Sequence, residues 1–190
     1  MEKTPFDEEI KTERLVLKRH RTTFDYAIMW YKLIEENNPF LTRFLEHFAD
    51  ITTPEQEYEY FLSSDKACTD MTKMSYALWT REGDLIGSCD TPELDFKRQE
   101  AEIGYLLAEK YTGHGYMTEA VKALEDNLFK RGFHRLTIIM DSENKASENV
   151  AIRRGFKKEG VMHGWRYNTT LQSWRDMYLY AKLKEEWERE

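Results

Sequence analysis

The stretch YTGHGYMTEA, residues 111–120, decides how the rest of the chain is interpreted. It places Gly113 and Gly115 on either side of His114, and a helix-like run follows at once. A phosphate cradle needs backbone N–H groups that crowd around oxygens. Glycines allow that approach, and a helix N-terminus adds unpaired donors and a favourable dipole. Taken alone, the stretch fits equally well a flexible turn before an ordinary helix.

Other glycine-rich phosphate motifs do not fit these residues. A P-loop requires a Lys-Ser or Lys-Thr pair after its last glycine, and none follows Gly115. A dinucleotide-binding GxGxxG motif requires a third glycine where Thr118 stands. Protein kinases need several further motifs that the sequence lacks. P-loop proteins, GxGxxG dinucleotide-binding proteins and protein kinases are therefore excluded.

Composition narrows the class of ligand. The net charge of −7 disfavours a general nucleic-acid binder and would attract a cationic ligand, although an acidic balance also simply gives solubility. Cys68 and Cys89 lie far apart without His or CxxC companions, which predicts no metal site, no disulfide and a cytoplasmic location. No apolar run is long enough for a membrane span, and the N-terminus lacks the apolar region of a signal peptide.

A length of 190 residues without repeats or a Pro-, Gly- and Ser-rich linker predicts a single domain over residues 1–190, and the hydrophobic periodicity within it predicts the α/β (α+β) class. Thr53, Pro54 and Gln56 form a helix-start signal. The pattern is a mixed, mostly antiparallel sheet with one helical crossover. The predicted strands are 14–19, 74–79, one from 85, 100–107, 136–140, 157–167 and 173–183, and the predicted helices are 24–37, 54–62, 116–130 and 147–154.

Two sequence motifs, in the order and spacing of a known protein family, indicate a resemblance to that family. They are AEIGYLLAEKYTGHGYMTEAV at 101–121 and DSENKASENVAIRRGFKKEG at 141–160, with RLVLK at 14–18 and DMYLYAKL at 176–183 in support. Together they resemble the GCN5-related N-acetyltransferases (GNAT), in the RimJ/RimL-like ribosomal-protein branch, over roughly residues 12–184. The resemblance implies a splayed sheet with helices on both faces and acetyl-CoA as co-substrate, without a metal.

The resemblance also implies which residues bind the cofactor. The family pattern [Arg/Gln]-x-x-Gly-x-[Gly/Ala] falls on Thr112–Met117, with Gly115 as the matching glycine and departures at both ends. His114 either replaces the missing charge or is an exposed loop residue. Pantetheine is expected beside the backbone of Leu106 and Leu107 and the side chain of Asn144. The expected pyrophosphate-binding residues are Thr112, Gly113, His114, Gly115, Tyr116, Met117 and Thr118.

Two residues match the family's catalytic positions. Glu102 resembles the glutamate that acts as base or positions a water, and the alternative is a sheet-face glutamate holding a cation. Ala151 stands where many members have a tyrosine that protonates the leaving thiolate. Ser147 matches a serine that the RimL-like branch often carries, and it could donate to the sulfur or merely cap the helix. Cys89 has no base placed beside it, which favours direct attack by the amine.

These assignments predict an acyltransferase whose partner is an amine-bearing acceptor, most simply a protein or peptide α-amine. A polyamine or an aminoglycoside-type drug is the alternative within the enzyme class. A non-catalytic acyl-CoA-binding sensor is the alternative from another class, because Thr112, Met117 and Ala151 depart from the family. A homodimer is compatible with aromatic residues such as Trp165 and Trp174.

Overall fold

The computed structural model describes residues 4–190. Its strands are β1 (Glu9–Lys11), β2 (Leu15–Arg19), β3 (Met74–Thr80), β4 (Leu85–Thr91), β5 (Leu94–Asp95), β6 (Glu100–Glu102), β7 (Gly104–Leu107), β8 (Arg135–Asp141), β9 (Lys157–Asn168) and β10 (Ser173–Leu183). Its α-helices are α1 (Phe24–Glu36), α2 (Asn38–Leu41), α3 (Pro54–Thr69), α4 (Tyr116–Lys130), α5 (Lys145–Arg153) and α6 (Lys184–Trp187). Short 3₁₀ turns lie at Glu46–Asp50 and Glu109–Tyr111.

The strands form two five-stranded sheets, in the orders β1-β2-β3-β4-β7 and β5-β6-β8-β10-β9. Among these strands only the β6–β8 pair is parallel, and α4 is the crossover that joins those two strands. The predicted mixed, mostly antiparallel architecture with one helical crossover is therefore confirmed.

The strand predicted as continuous over 100–107 is divided, which corrects the sequence prediction. Its first part pairs with β8 up to Glu102↔Thr137, and its second part pairs with β4 from Gly104↔Asp90 onward. Ile103, between them, still donates its N–H to the Thr137 carbonyl at 2.8 Å. Because the partner changes here, β7 and β8 diverge and leave an opening between the two sheets.

The ends of the predicted helices agree with the structure to within one residue except at two places. Thr53 and Gln56 form the predicted capping box of α3, but the helix continues to Thr69 rather than ending near residue 62. The additional turns, residues 63–69, are mostly polar and largely exposed. They therefore carry no strong apolar stripe that would predict a helix. α5 begins at Lys145 with Asn144 as its N-cap, two residues before the predicted start.

Helices cover both faces of the sheets. α4 packs through residues such as Val121 and Leu124 on one side, and α1 and α3 pack through Trp30 and Phe61 on the other. Leu106 belongs to the second cluster, whereas Tyr105 and Leu107 contact the first. Successive residues of β7 therefore face alternate layers, as strand geometry requires. No helix within residues 4–190 combines the length and apolar character needed to cross a bilayer.

Candidate active site

The glycine loop is a row of free backbone donors. Gly113 and Gly115 have φ of 79° and 80°, the left-handed region that glycine adopts without strain. Gly115 is the N-cap of α4 and contributes no side-chain cap. Within the described chain, the six consecutive amides from residue 113 to 118 donate to no acceptor. Such donors at the start of a 15-residue helix are suited to an anionic group.

Arg14, directly before β2, contacts this loop from the N-terminal part of the chain. Its Nη1 donates to the His114 carbonyl at 2.9 Å, its Nε donates to Glu119 Oε2 at 2.7 Å, and its guanidinium lies 4.7 Å from the Tyr116 ring centroid. Thr12 Oγ1 donates to the other Glu119 oxygen at 2.6 Å. Partial burial raises the pKa of Glu119, but these hydrogen bonds outweigh it and hold that pKa below its ordinary value.

Two loop residues bear on the charge that the family places at this loop, namely Thr112, which stands where the family has Arg or Gln, and His114, which could replace that charge. Thr112 Oγ1 donates to the Glu109 carbonyl at 2.7 Å and closes the 3₁₀ turn before the loop. The His114 side chain is exposed. The fixed cation at the loop is thus Arg14, which sequence reasoning missed. It belongs to the RLVLK segment at 14–18, but nothing in the sequence brings that segment beside the loop.

A cleft of about 880 Å³ runs from the loop along α4. Its charged lining is mainly cationic although the whole chain carries −7. A cleft of this sign and size, beginning at free amides, fits an extended phosphorylated ligand such as coenzyme A. The cations that line it are Lys11, Arg14, Lys122, Lys130, Arg153 and Arg154, and the acids are Glu13, Glu119 and Asp126.

The opening between β7 and β8 exposes backbone groups of β7. Ala108 donates its N–H to the Ile86 carbonyl at 2.8 Å, so alternate residues from 108 backward bond to β4. Leu106 follows that pattern, and its amide faces β4. Tyr105 and Leu107 are out of phase with it, so their N–H and C=O groups face the opening. Of the two leucines predicted to lie beside pantetheine, Leu107 has the suitable backbone orientation.

Glu102 lies at the end of β6, beside the opening. Its side chain is half-buried, and burial, reinforced by Glu93, raises the pKa of its carboxyl, while Arg166 opposes the shift. Among the residues that the structure describes, none hydrogen-bonds or ion-pairs with this carboxylate. A carboxylate with a raised pKa is suited to accept a proton.

Ser147 lies in the first turn of α5, with a buried side chain. The helix cap is Asn144, whose Oδ1 accepts the Ser147 N–H at 3.1 Å, so the alternative role of Ser147 as the cap is wrong. Asn144 Nδ2 has no acceptor in the described part of the chain, which leaves it free for a ligand. Ser147 Oγ instead lies 2.8 Å from the hydroxyl of Tyr105. Sequence reasoning missed this contact of Tyr105, because strand alternation says nothing about what its hydroxyl reaches.

Cys89 is fully buried in β4. Burial raises the pKa of its thiol well above the ordinary value, so the reactive thiolate is disfavoured. This agrees with direct transfer rather than a covalent acyl-cysteine.

The chain belongs to the GNAT acetyltransferase family, since residues 14–157 match the acetyltransferase (GNAT) domain. It is 33% identical over 110 residues to YdaF of Bacillus subtilis (strain 168), which is 57% of this chain and 59% of that protein. It is 31% identical over 104 residues to the ribosomal-protein-serine acetyltransferase of Escherichia coli (strain K12), with 54% and 57% covered. The chain thus spans somewhat over half the length of these two curated relatives.

Solved structures share the fold over nearly the whole chain. A RimL ribosomal-protein α-N-acetyltransferase in complex with coenzyme A superposes with a TM-score of 0.87 at 23% identity, covering 94% of this chain and 99% of that one. The microcin self-immunity acetyltransferase MccE, in complex with acetyl-CoA and AMP, gives a TM-score of 0.84 at 21% identity, with 90% and 93% covered. At these identities the likeness establishes the fold.

Proposed function

We propose that the chain transfers an acetyl group from acetyl-CoA to a primary amine, most simply the α-amine of a protein or peptide. The observation that carries this proposal is the run of six free amides at residues 113–118, directly after a strand that opens away from its neighbour. The first feature is suited to a pyrophosphate, and the second gives an extended pantetheine arm backbone partners. The cationic cleft along α4 supports the same ligand.

The chemistry needs a proton acceptor, an oxyanion donor and a partner for the leaving sulfur. In the proposed step the amine nitrogen attacks the thioester carbon, the carbon–sulfur bond breaks, and acetyl ends on nitrogen. Glu102 accepts the proton that the nitrogen loses, directly or through water. The Leu107 N–H, which faces the opening, donates to the carbonyl oxygen as negative charge develops. Ser147 donates a hydrogen bond to the sulfur, and the thiolate takes its proton from solvent.

An α-amine is the favoured acceptor for a reason of acidity. Its pKa of about 8 lies far closer to neutrality than the roughly 10.4 of a lysine side chain, so more of it is neutral and nucleophilic at pH 7. The name of the Escherichia coli relative, a ribosomal-protein-serine acetyltransferase, is consistent with a protein acceptor. Glu102, which borders the opening, and Glu93, whose charge acts on it, would also attract a cationic amine.

The test combines calorimetry with acetyl-CoA and a free-thiol assay across an amine panel. The panel contains peptides with a free α-amine, the same peptides with a blocked α-amine and a free lysine, a polyamine and an aminoglycoside. Thiol release with the first set alone supports the proposal. Release with the polyamine or aminoglycoside alone would assign a small-molecule acceptor. Acetyl-CoA binding without release by any amine would indicate a non-catalytic acyl-CoA sensor, and absence of binding would reject every one of these functions.

A further inference from the structure

We propose that Tyr105 is a positioning residue that holds the Ser147 hydroxyl toward the leaving sulfur. The inference rests on the proposed function and adds to it a residue outside the predicted catalytic pair. Tyr105 reaches the first turn of α5 from β7, across the boundary between strand and helix. Its hydroxyl oxygen lies 2.8 Å from Ser147 Oγ and 3.3 Å from the Ser147 carbonyl oxygen.

These two distances allow two hydrogen-bond arrangements, because each hydroxyl has one hydrogen and can also accept. In the first, Ser147 donates to Tyr105, and Tyr105 donates to the Ser147 carbonyl. In the second, Tyr105 donates to Ser147 Oγ, which leaves the serine hydrogen free. Only the second lets Ser147 donate to a sulfur that gains negative charge. The exchange needs only that both hydroxyl hydrogens rotate about their C–O bonds, without moving a heavy atom.

Tyr105 acts by orientation and not as a net proton donor. Burial raises the pKa of its phenol above the ordinary value, although the hydrogen bond with Ser147 partly offsets this. A buried phenolate would therefore be a costly product of the step. Tyr105 still assists the step while both hydroxyls keep their protons. The hydrogen bond that it donates to Ser147 Oγ makes the Ser147 hydroxyl a stronger donor to the sulfur.

The position of Ala151 explains why the phenol comes from the sheet. Ala151 is fully buried on α5, one turn beyond Ser147 and on the same face of the helix. A methyl group there offers no hydroxyl that could contact the sulfur or compete for Ser147. Tyr105 is thus the phenol that the structure places beside this helix face, and it acts through the serine.

The first test is a double-mutant cycle on turnover with an amine from the panel. Tyr105→Phe is expected to lower kcat about tenfold and to leave the KM for acetyl-CoA within about twofold. The double variant Tyr105→Phe, Ser147→Ala should be no slower than Ser147→Ala alone, because both changes remove the same hydrogen bond to the leaving sulfur. Tyr180→Phe is the matched control, since the Tyr180 hydroxyl also reaches α5 but donates to Glu148 at 2.8 Å. Multiplicative losses in the double variant would overturn the inference.

The second test needs no acceptor. A hydrogen bond from Ser147 stabilises the thiolate of bound coenzyme A, so the thiol of the complex should titrate at lower pH in the wild-type protein than in Tyr105→Phe. Ultraviolet absorbance of the thiolate measures this titration. Equal titration in the two proteins would overturn the role of Tyr105 and leave the proposed function standing. Failure of the wild-type protein to bind coenzyme A in the calorimetric experiment would instead reject the proposed function.

Discussion

Glu102 combines two properties that a general base needs. It borders the opening, and its pKa is raised by burial and by Glu93, so its affinity for a proton is greater than that of a free glutamate. Since no neighbour in the described chain binds its oxygens, they are free to meet a substrate or a water. The same two properties make its role testable through pH, because only the ionised carboxylate can accept a proton.

Glu102→Gln should lower kcat/KM by about 100-fold, within the range for loss of a general base. In the wild-type protein, activity should fall as the pH falls through the raised pKa of Glu102, because the protonated form cannot act as base. That acidic limb should be missing from the variant's pH–rate profile. Glu100→Gln, two residues away and exposed on the same strand, is the control. A variant that keeps the acidic limb would assign the base to another group.

Arg14→Gln should weaken binding of coenzyme A about tenfold, because it removes a charged hydrogen bond that fixes the glycine loop. Binding of acetyl-pantetheine, which lacks the pyrophosphate, should change little. His114→Ala should have a small effect on both ligands, since its side chain is exposed. Calorimetry measures the affinity of each variant for coenzyme A and for acetyl-pantetheine. Arg98→Gln, which removes an exposed cation paired with Asp95, is the control. Equal weakening for both ligands would contradict a role at the pyrophosphate.

At the scale of elements, the sequence predicts more about the loop than about the strand before it. Local signals suffice for the loop, since two glycines and an amphipathic run define it. The division at Ile103 depends on which strands pair with each half, and alternation along 100–107 is the same whether the partner is β4 or β8. The contacts of Arg14 and Tyr105 are likewise unpredictable from spacing, because each joins segments far apart in the chain.

Gly87 is the tightest point of the β4–β7 pair. A Cβ at this residue would lie 2.2 Å from the Leu106 carbonyl oxygen, so the two strands could not keep their separation. Gly87→Ala should lower the free energy of unfolding by about 1–3 kcal/mol, as overpacking does. It should also reduce coenzyme A affinity, since β7 borders the opening. Chemical denaturation measures the first effect, and Gly160→Ala, where a Cβ meets nothing within 4 Å, is the control. Equal stability of the two variants would show that the strands separate freely.

Charge is unevenly distributed over the whole molecule. The body is acidic, whereas the cleft along α4 collects cations. At Glu102, where the acceptor is proposed to bind, Glu93 acts on the carboxylate together with Arg166. The phosphates of coenzyme A would thus meet cations in the cleft, and a cationic acceptor would meet the carboxylate of Glu102.

A buried network also connects α4 to β10, where Lys182 Nζ contacts Glu125 Oε1 at 2.5 Å and the Arg154 carbonyl at 2.8 Å.

The layer of α1 and α3 contains a buried acid that should make global stability depend on pH. Glu57 is 1% exposed, its Oε2 has no partner among the described residues, and burial raises its pKa from 4.5 to about 7. The folded protein therefore binds this proton more tightly than the unfolded chain does. The resulting stabilisation is fully present below pH 4.5 and is lost as the pH rises to about 7.

Glu57→Gln replaces the carboxyl with a neutral group of the same shape, so it should match the wild-type stability at about pH 4 and exceed it at about pH 8. The expected gain at the higher pH is about 3 kcal/mol, from the rise of the pKa from 4.5 to about 7 at roughly 1.4 kcal/mol per unit. Urea denaturation at the two pH values measures it. Glu59→Gln, on the exposed side of the same helix, should show no such difference. If the Glu57→Gln variant and the wild type unfold alike at the higher pH, the carboxylate is solvated in the folded state and α1 does not seal it from water.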